Sequence, residues 1–260
     1  MIMSPFLAAP LAIAQAVAAT APASPVEARA AECLAIAADD PVSAITTAST
    51  WLGEGATLGA GHARECLGHA YVRLLRWEAA EEAFLAAREG TADPARRARL
   101  TAMAGNAAMA ESRAEDALAS LDLAREDALA AADSALAAQL AIDRARALVA
   151  LDRLEPAADA LAAARESQPQ SAEAWLLSAT LARRMDRLGE AQAMIETAGA
   201  LAPRDPQVAL EAGVIAVLDG RTDSARRSWE SVVAIDADTG SVETAKTYLA
   251  QLGNHEGEAQ

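Results

Sequence analysis

The chain is poor in the residues from which most globular cores and most charged binding surfaces are made. Aromatic side chains are only 3% of its 260 residues, so a core of interlocking rings is excluded. Runs of Val, Ile, Thr, Tyr and Phe alternating with polar residues are missing, which leaves β-strands without support. Lysine is nearly absent, Lys246 being the only one, and the formal net charge is −15. Such a chain lacks the cationic surface that neutralises phosphates, so neither nucleic acid nor an anionic membrane is an expected partner. Cysteine is limited to Cys33 and Cys66. The one long apolar run, Phe6 to Ala19, is interrupted by Pro10 and is shorter than the roughly 20 residues of a spanning helix.

Alanine fills the gap and supplies most of the 53% hydrophobic content. It is the best helix former and loses no side-chain entropy on folding. The expected fold class is therefore all-α, with thin cores that require helices to approach closely.

A fixed spacing of small, small, large and small residues recurs. It begins at Gly68, Ala80, Phe84 and Ala87 and returns at Gly105, Ala117, Leu121 and Ala124. Further copies are Ala145, Ala157, Leu161, Ala164; Ala179, Ala191, Ile195, Ala198; and Gly213, Ala225, Trp229, Val232. The last three follow at a 34-residue step; the first two steps are 37 and 40, so three and six extra residues are expected in the connections. Pro169 and Pro203 punctuate the same period, and "LDRLEP", "MDRLGE" and "LDGRTD" lie mid-repeat where a helical hairpin turns.

On these residues the chain resembles the tetratricopeptide repeat family. Leu67-Gly68, Tyr71, Ala80, Phe84 and Ala87 fit its pattern, as do "AEAW" at 172–175 with Ala191, Ala198 and Pro203, and Gly213, Gly220, Ala225 and Trp229. The resemblance implies a right-handed superhelical α-solenoid of five helix-turn-helix repeats: 61–94, 98–131, 138–171, 172–205 and 206–239. Stacked hairpins bury a continuous core and need polar ends. A degenerate helix pair at 26–60, with Trp51 packed on the first repeat, is the expected amino-terminal cap. A helix at 241–252, with Tyr248 and Leu249 inward, is the expected carboxyl-terminal cap, and 253–260 a loose tail. Residues 1–23 read as an export signal, with Ala21-Pro22-Ala23 as the cleavage site. An uncleaved anchor or a cytosolic tail are the alternatives, so the expected location is periplasmic or secreted, with cytoplasmic as the second reading.

"HARECLGHAYV" places His62, Cys66 and His69 along one helical face. Metal binding by these three is one reading, since zinc prefers such ligands. The repeat register instead sets Cys66 near the preceding helix, which carries Cys33, and two cysteines in an exported chain suit a disulfide. Free thiols and a redox Cys66–His69 pair are further readings. "RRAR" at 96–99 reads as a solvated face, and adjacent acids such as Glu81-Glu82 and Glu126-Asp127 point apart on a helix.

The resemblance further implies a non-catalytic scaffold, without cofactor, whose first helices line a groove for a peptide or helix of another protein. By register the groove draws His62, Glu65, His69, Val72 and Arg73 from the first repeat and Arg99, Ala102, Asn106 and Met109 from the second. The third adds Gln139, Ile142, Arg146 and Val149, and the fourth adds Glu173, Leu176, Thr180, Arg183 and Arg184. The fifth adds Gln207, Leu210, Val214 and Val217. Family members that hold a terminal carboxylate use a Lys and Asn clamp, of which only Asn106 matches. The expected partner therefore offers apolar anchors and acidic side chains, in a bacterial envelope complex; self-association is a further possibility, and a metal- or thiol-dependent protein built on His62, Cys66 and His69 is the rival reading.

Overall fold

Alanine-rich segments become discrete helices here because a polar side chain starts most of the first helices and a left-handed residue stops them. The computed structural model describes residues 24–55, 59–235 and 239–258, and these form thirteen α-helices. Helices α1 (Pro25–Asp39) and α2 (Pro41–Gly53) make an N-terminal pair. Five hairpins follow: α3 (Ala60–Arg73) with α4 (Trp77–Arg88), α5 (Pro94–Ala110) with α6 (Ala114–Ala130), and α7 (Ser134–Ala150) with α8 (Leu154–Ser167). The last two are α9 (Ala172–Arg184) with α10 (Leu188–Leu201), and α11 (Pro206–Leu218) with α12 (Thr222–Ala234). A single helix, α13 (Thr239–Glu258), ends the array. Each helix packs mainly on its chain neighbours, so the architecture is an all-α solenoid.

The first helices of the hairpins after α3 are capped by Asp93, Asp133, Ser171 and Asp205, whose side chains accept from backbone N–H groups two or three residues on. They also end alike. Leu75, Ser112, Asp152, Asp186 and Gly220 all have φ between 57° and 74°. The arginine after each one sends its N–H back to a carbonyl five residues earlier, at 2.8–3.0 Å, which closes the helix end and turns the chain into the second helix.

The recurring positions occupy matching environments. Ala80, Ala117, Ala157, Ala191 and Ala225 are all 0% exposed, and the large partners Phe84, Leu121, Leu161, Ile195 and Trp229 are at most 4% exposed. Across each hairpin, size is complementary. A Cβ added at Gly68 would lie 2.5 Å from Phe84, and one at Gly213 would lie 2.1 Å from the Trp229 indole nitrogen. Where the large residue is Leu161 or Ile195, the facing residue is Ala145 or Ala179.

Ion pairs tie successive hairpins together. Asp127 is buried between Arg88 of α4, at 2.9 Å, and Arg97 of α5. Arg113 pairs with Glu81, Arg153 with Glu115 and Arg187 with Glu155, along the edge formed by the turns. This overturns the reading of 96–99 as a solvated face. Arg97 holds Asp127, and Arg96 bonds both Glu65 and His62; of the three arginines in this segment only Arg99 is exposed. Asp127 and Glu126 do point apart, the first buried and the second exposed.

Two further expectations are corrected. The extra residues of the early repeats lengthen helices rather than connections: α5, α6 and α7 have 17 residues each, against 13 or 14 in α8 to α11. Pro94 after the Asp93 cap starts α5 early, and 127–130 offers no breaker to stop α6. Residues 253–258, expected in a loose tail, instead continue α13, which runs on to Glu258. The expected export segment, 1–23, lies outside the described residues. No helix among those described is long and apolar enough to cross a membrane.

Candidate partner-binding groove

The first helices α3, α5, α7, α9 and α11 present one face, and the residues of that face fall into two chemical kinds. Most of its charge is consumed internally. Arg96 of α5 bonds Glu65 of α3 at 2.6 Å. Arg146 of α7 bonds Glu173 of α9 at 2.5 Å and Asp143 at 2.7 Å. Arg183 of α9 bonds Glu211 of α11 through two nitrogens, at 2.6 and 3.3 Å. Burial pushes the Asp143 carboxyl above the usual range, and the Arg146 charge beside it, with Gln139 and Asn106 nearby, opposes that shift.

The apolar kind gathers between α7 and α9. Ile142, Ala145 and Val149 of α7, Leu161 of α8, and Leu177, Thr180 and Leu181 of α9 enclose a cavity of about 210 Å³, with Arg146 and Arg184 at its rim. That volume suits one or two apolar side chains. Thr180 turns its hydroxyl to the Leu176 carbonyl, so the cavity wall receives its methyl group. Arg184 is exposed and has no ion pair among the described residues, which leaves it free for an outside acid.

Of the residues read from the sequence, Ile142, Arg146, Val149, Thr180 and Arg184 meet at this cavity. Leu176 packs instead with Ala179 and Ile195 in the core beneath. Arg183 is engaged by Glu211 and does not reach the cavity. Asn106 is exposed one helix away, and Arg73 is exposed at the end of α3. Ala145, Leu161, Leu177 and Leu181 were not expected to line a groove. Their register marked Ala145 and Leu161 as hairpin packing, which they also provide.

The first repeat behaves differently. Cys33 and Cys66 sulfurs lie at disulfide distance, with Cα atoms 6.0 Å apart, and both side chains are fully buried. His69 stacks edge-on against Phe84, ring centroids 5.3 Å apart, and His62 bonds Arg96. Burial pushes both imidazoles toward the neutral form, helped at His62 by the Arg96 charge. Cys66 thus faces Cys33 while His69 turns to a ring. No group of three His, Cys, Asp or Glu side chains is arranged to hold a metal among the described residues. The metal reading of His62, Cys66 and His69 loses its thiol ligand.

The repeated hairpins, the left-handed turns and the small-against-large packing define the tetratricopeptide repeat fold. No family model matches the sequence, and no curated protein does either. Solved structures do share the fold. PilW, described as a widely conserved type IV pilus biogenesis factor, matches with a TM-score of 0.69 at 17% identity, over 87% of this chain and 100% of that one. Pseudomonas aeruginosa PilF matches with a TM-score of 0.67 at 13% identity, over 87% and 97%. YrrB, a TPR protein described as having an unusual peptide-binding site, matches with a TM-score of 0.52 at 17% identity, over 71% and 91%.

Proposed function

We propose that the chain is a non-catalytic protein-interaction scaffold that holds a partner segment on its first-helix face, anchored in the cavity between α7 and α9. The observation that carries this reading is that cavity: about 210 Å³, apolar in its walls, open on the face, with an uncommitted guanidinium at the edge. Apolar anchors in such recesses supply most of the affinity of peptide docking, and one aimed charge supplies direction. The partner it fits carries a Leu-sized side chain with an Asp or Glu beside it, the acid meeting Arg184. Arg146 and Arg183, already neutralised by Glu173 and Glu211, contribute shape and rigidity rather than charge.

We place the protein in a bacterial envelope complex, outside the reducing cytosol. Two buried cysteines at bonding distance support an oxidising compartment, as does the apolar, uncharged segment ahead of Glu27. The likeness to PilW, described as a type IV pilus biogenesis factor, is one of fold and is consistent with an envelope role.

The test is selection from a randomised peptide display library on the immobilised chain, with a Thr180→Trp variant whose indole fills the cavity as the counter-selection. Enriched peptides should share an apolar residue next to an acid and fail to bind the variant. Enrichment of peptides that bind both proteins equally, or no enrichment, would reject the groove.

A further inference from the structure

Leu75 stands where neither burial nor backbone preference places a leucine. It holds a left-handed φ of 57° and is 68% exposed, and Leu74 beside it is 36% exposed. The matching positions of the other hairpins carry Ser112, Asp152, Asp186 and Gly220, none of them large or apolar. A left-handed backbone is costly for a leucine, and strain kept at a solvent-facing residue points to a contact made outside the chain.

Charge sets the same turn apart. Arg113, Arg153 and Arg187, which follow three of the later turns, pair with acids of the preceding hairpin. Arg76, which follows Leu75, instead lies over the Tyr71 ring, 5.1 Å from its centroid. Neither Arg76 nor Arg73 has an ion pair among the described residues, and both are exposed. Residues 71–77 hold no acid; Glu78 comes next. The tip thus presents two leucines between two uncommitted guanidiniums.

A recess of complementary chemistry lies between α10 and α11. Ile195, Gly199, Pro203, Val208 and Ala212 help to line a space of about 290 Å³, with Glu196 and Asp205 in its lining and no Lys or Arg. Glu196 accepts from the Gln192 amide at 2.6 Å, and Asp205 from the backbone N–H groups of Gln207 and Val208. Neither carboxylate has an ion pair among the described residues; Arg204, exposed beside Asp205, is outside the lining. The α7–α9 cavity, by contrast, meets the tip with Arg146 and Arg184.

We propose that a second copy of this chain covers the tip: Leu74 and Leu75 of one copy enter the α10–α11 recess of the next, and Arg73 and Arg76 meet Glu196 and Asp205. One copy cannot fill its own recess. The tip belongs to the edge of the hairpin turns, whereas the recess lies by the α10–α11 connection, at the other end of α10 from its hairpin turn. The contact joins unlike surfaces, so each added copy leaves a tip and a recess free and the assembly grows as a row. Two leucines and two arginines bury much less than the roughly 800 Å² per partner of a standard interface, so association is weak and rises with concentration. Copies of net charge −15 repel one another, and at physiological salt that repulsion is screened beyond about 8 Å while the contact itself is not.

Sedimentation velocity of the full chain over a wide concentration range, at physiological ionic strength, tests this. The weight-average sedimentation coefficient should climb with concentration without levelling at a dimer. Leu75→Asp should weaken association by about tenfold or more, through loss of the apolar anchor. Its melting temperature should not fall, because Asp occupies the same turn in the third and fourth repeats. Gly199→Leu should have the same effect by filling the recess: an added Cβ there meets only Val208, at 3.9 Å, and a helical glycine is removed. Mixed together, the two variants should form a one-to-one complex and stop, since one keeps its recess and the other its tip. A monomer at every concentration, self-association that both variants leave intact, or a mixture that forms no complex would overturn the proposal. None of the substituted residues lines the α7–α9 cavity, so peptide binding there is tested separately.

Discussion

Adding one methyl group at equivalent positions of different repeats should change stability in opposite directions. In Gly213→Ala the new Cβ would sit 2.1 Å from Trp229 Nε1 and 2.4 Å from Cε2, with the indole wedged between α11 and α12. The ring must move, and its hydrogen bond to the Leu210 carbonyl, 3.1 Å and buried, breaks. Overpacking costs about 1–3 kcal/mol, and a stranded buried donor costs about 1–3 kcal/mol more. Alanine returns about 1 kcal/mol of helix propensity. The net loss is about 2–4 kcal/mol. In Gly105→Ala the nearest atom is Leu121 Cγ at 3.1 Å, and the same chain already seats Ala145 opposite Leu161. A shift of a few tenths of an ångström suffices, so propensity prevails and the variant should be neutral to about 1 kcal/mol more stable. The assay is urea denaturation followed by far-UV circular dichroism. A double variant, Gly213→Ala with Trp229→Leu, recreates the third repeat's pairing and should lose less than the two single losses added together. Equal effects of Gly105→Ala and Gly213→Ala, or strict additivity in the double variant, would refute the size-matching argument.

Other outcomes follow from the same geometry. Replacing Cys33 and Cys66 by Ser removes a link across 33 residues and should cost about 3–4 kcal/mol, in the chain-entropy model, with the loss concentrated in α1 and α2; hydrogen exchange resolved by helix checks this. Asp127→Ala leaves Arg88 and Arg97 facing each other without an acid, and their partial exposure trims the usual cost of breaking a buried pair to about 2–4 kcal/mol, measurable as a fall in the urea midpoint. His62 and His69 have folded pKa values below the ordinary 6.5, so the unfolded chain binds more protons as pH drops below that value. Their contribution is present above pH 6.5 and is lost as pH falls through the lowered folded values. Melting temperature should therefore decline on acidification from pH 7 toward 5, and His69→Gln should flatten that decline.

The small and large positions were legible because packing repeats with the hairpin. Ala157, Ala191 and Ala225 share one environment, and one spacing describes all three. The turn positions were legible as polar clusters, although Leu75 and Ser112 adopt the left-handed conformation without the Gly or Asp that would announce it. Helix lengths were misjudged because a period locates centres and not ends; the Asp93-Pro94 start of α5 was the available signal. The inter-repeat ion pairs were not legible. Arg183 and Glu211 lie 28 residues apart, and nothing in either side chain distinguishes a pair from two solvated charges until both helices are placed. The same holds for Arg146 with Glu173, so the groove arginines looked alike, whereas among the described residues only Arg73, Arg99 and Arg184 of that face are exposed without an ion pair. The cavity itself is bounded jointly by α7, α8 and α9, a property of the stack rather than of any residue.

The central claim is that the face between α7 and α9 is where this protein holds its partner. Methyl-labelled protein mixed with a Leu-Glu peptide tests it most directly by intermolecular nuclear Overhauser effects. The account predicts cross-peaks from the peptide leucine to Ile142, Val149, Leu177 and Leu181. Cross-peaks confined to methyls outside that cavity, such as Leu123 and Leu129 on α6, would contradict it.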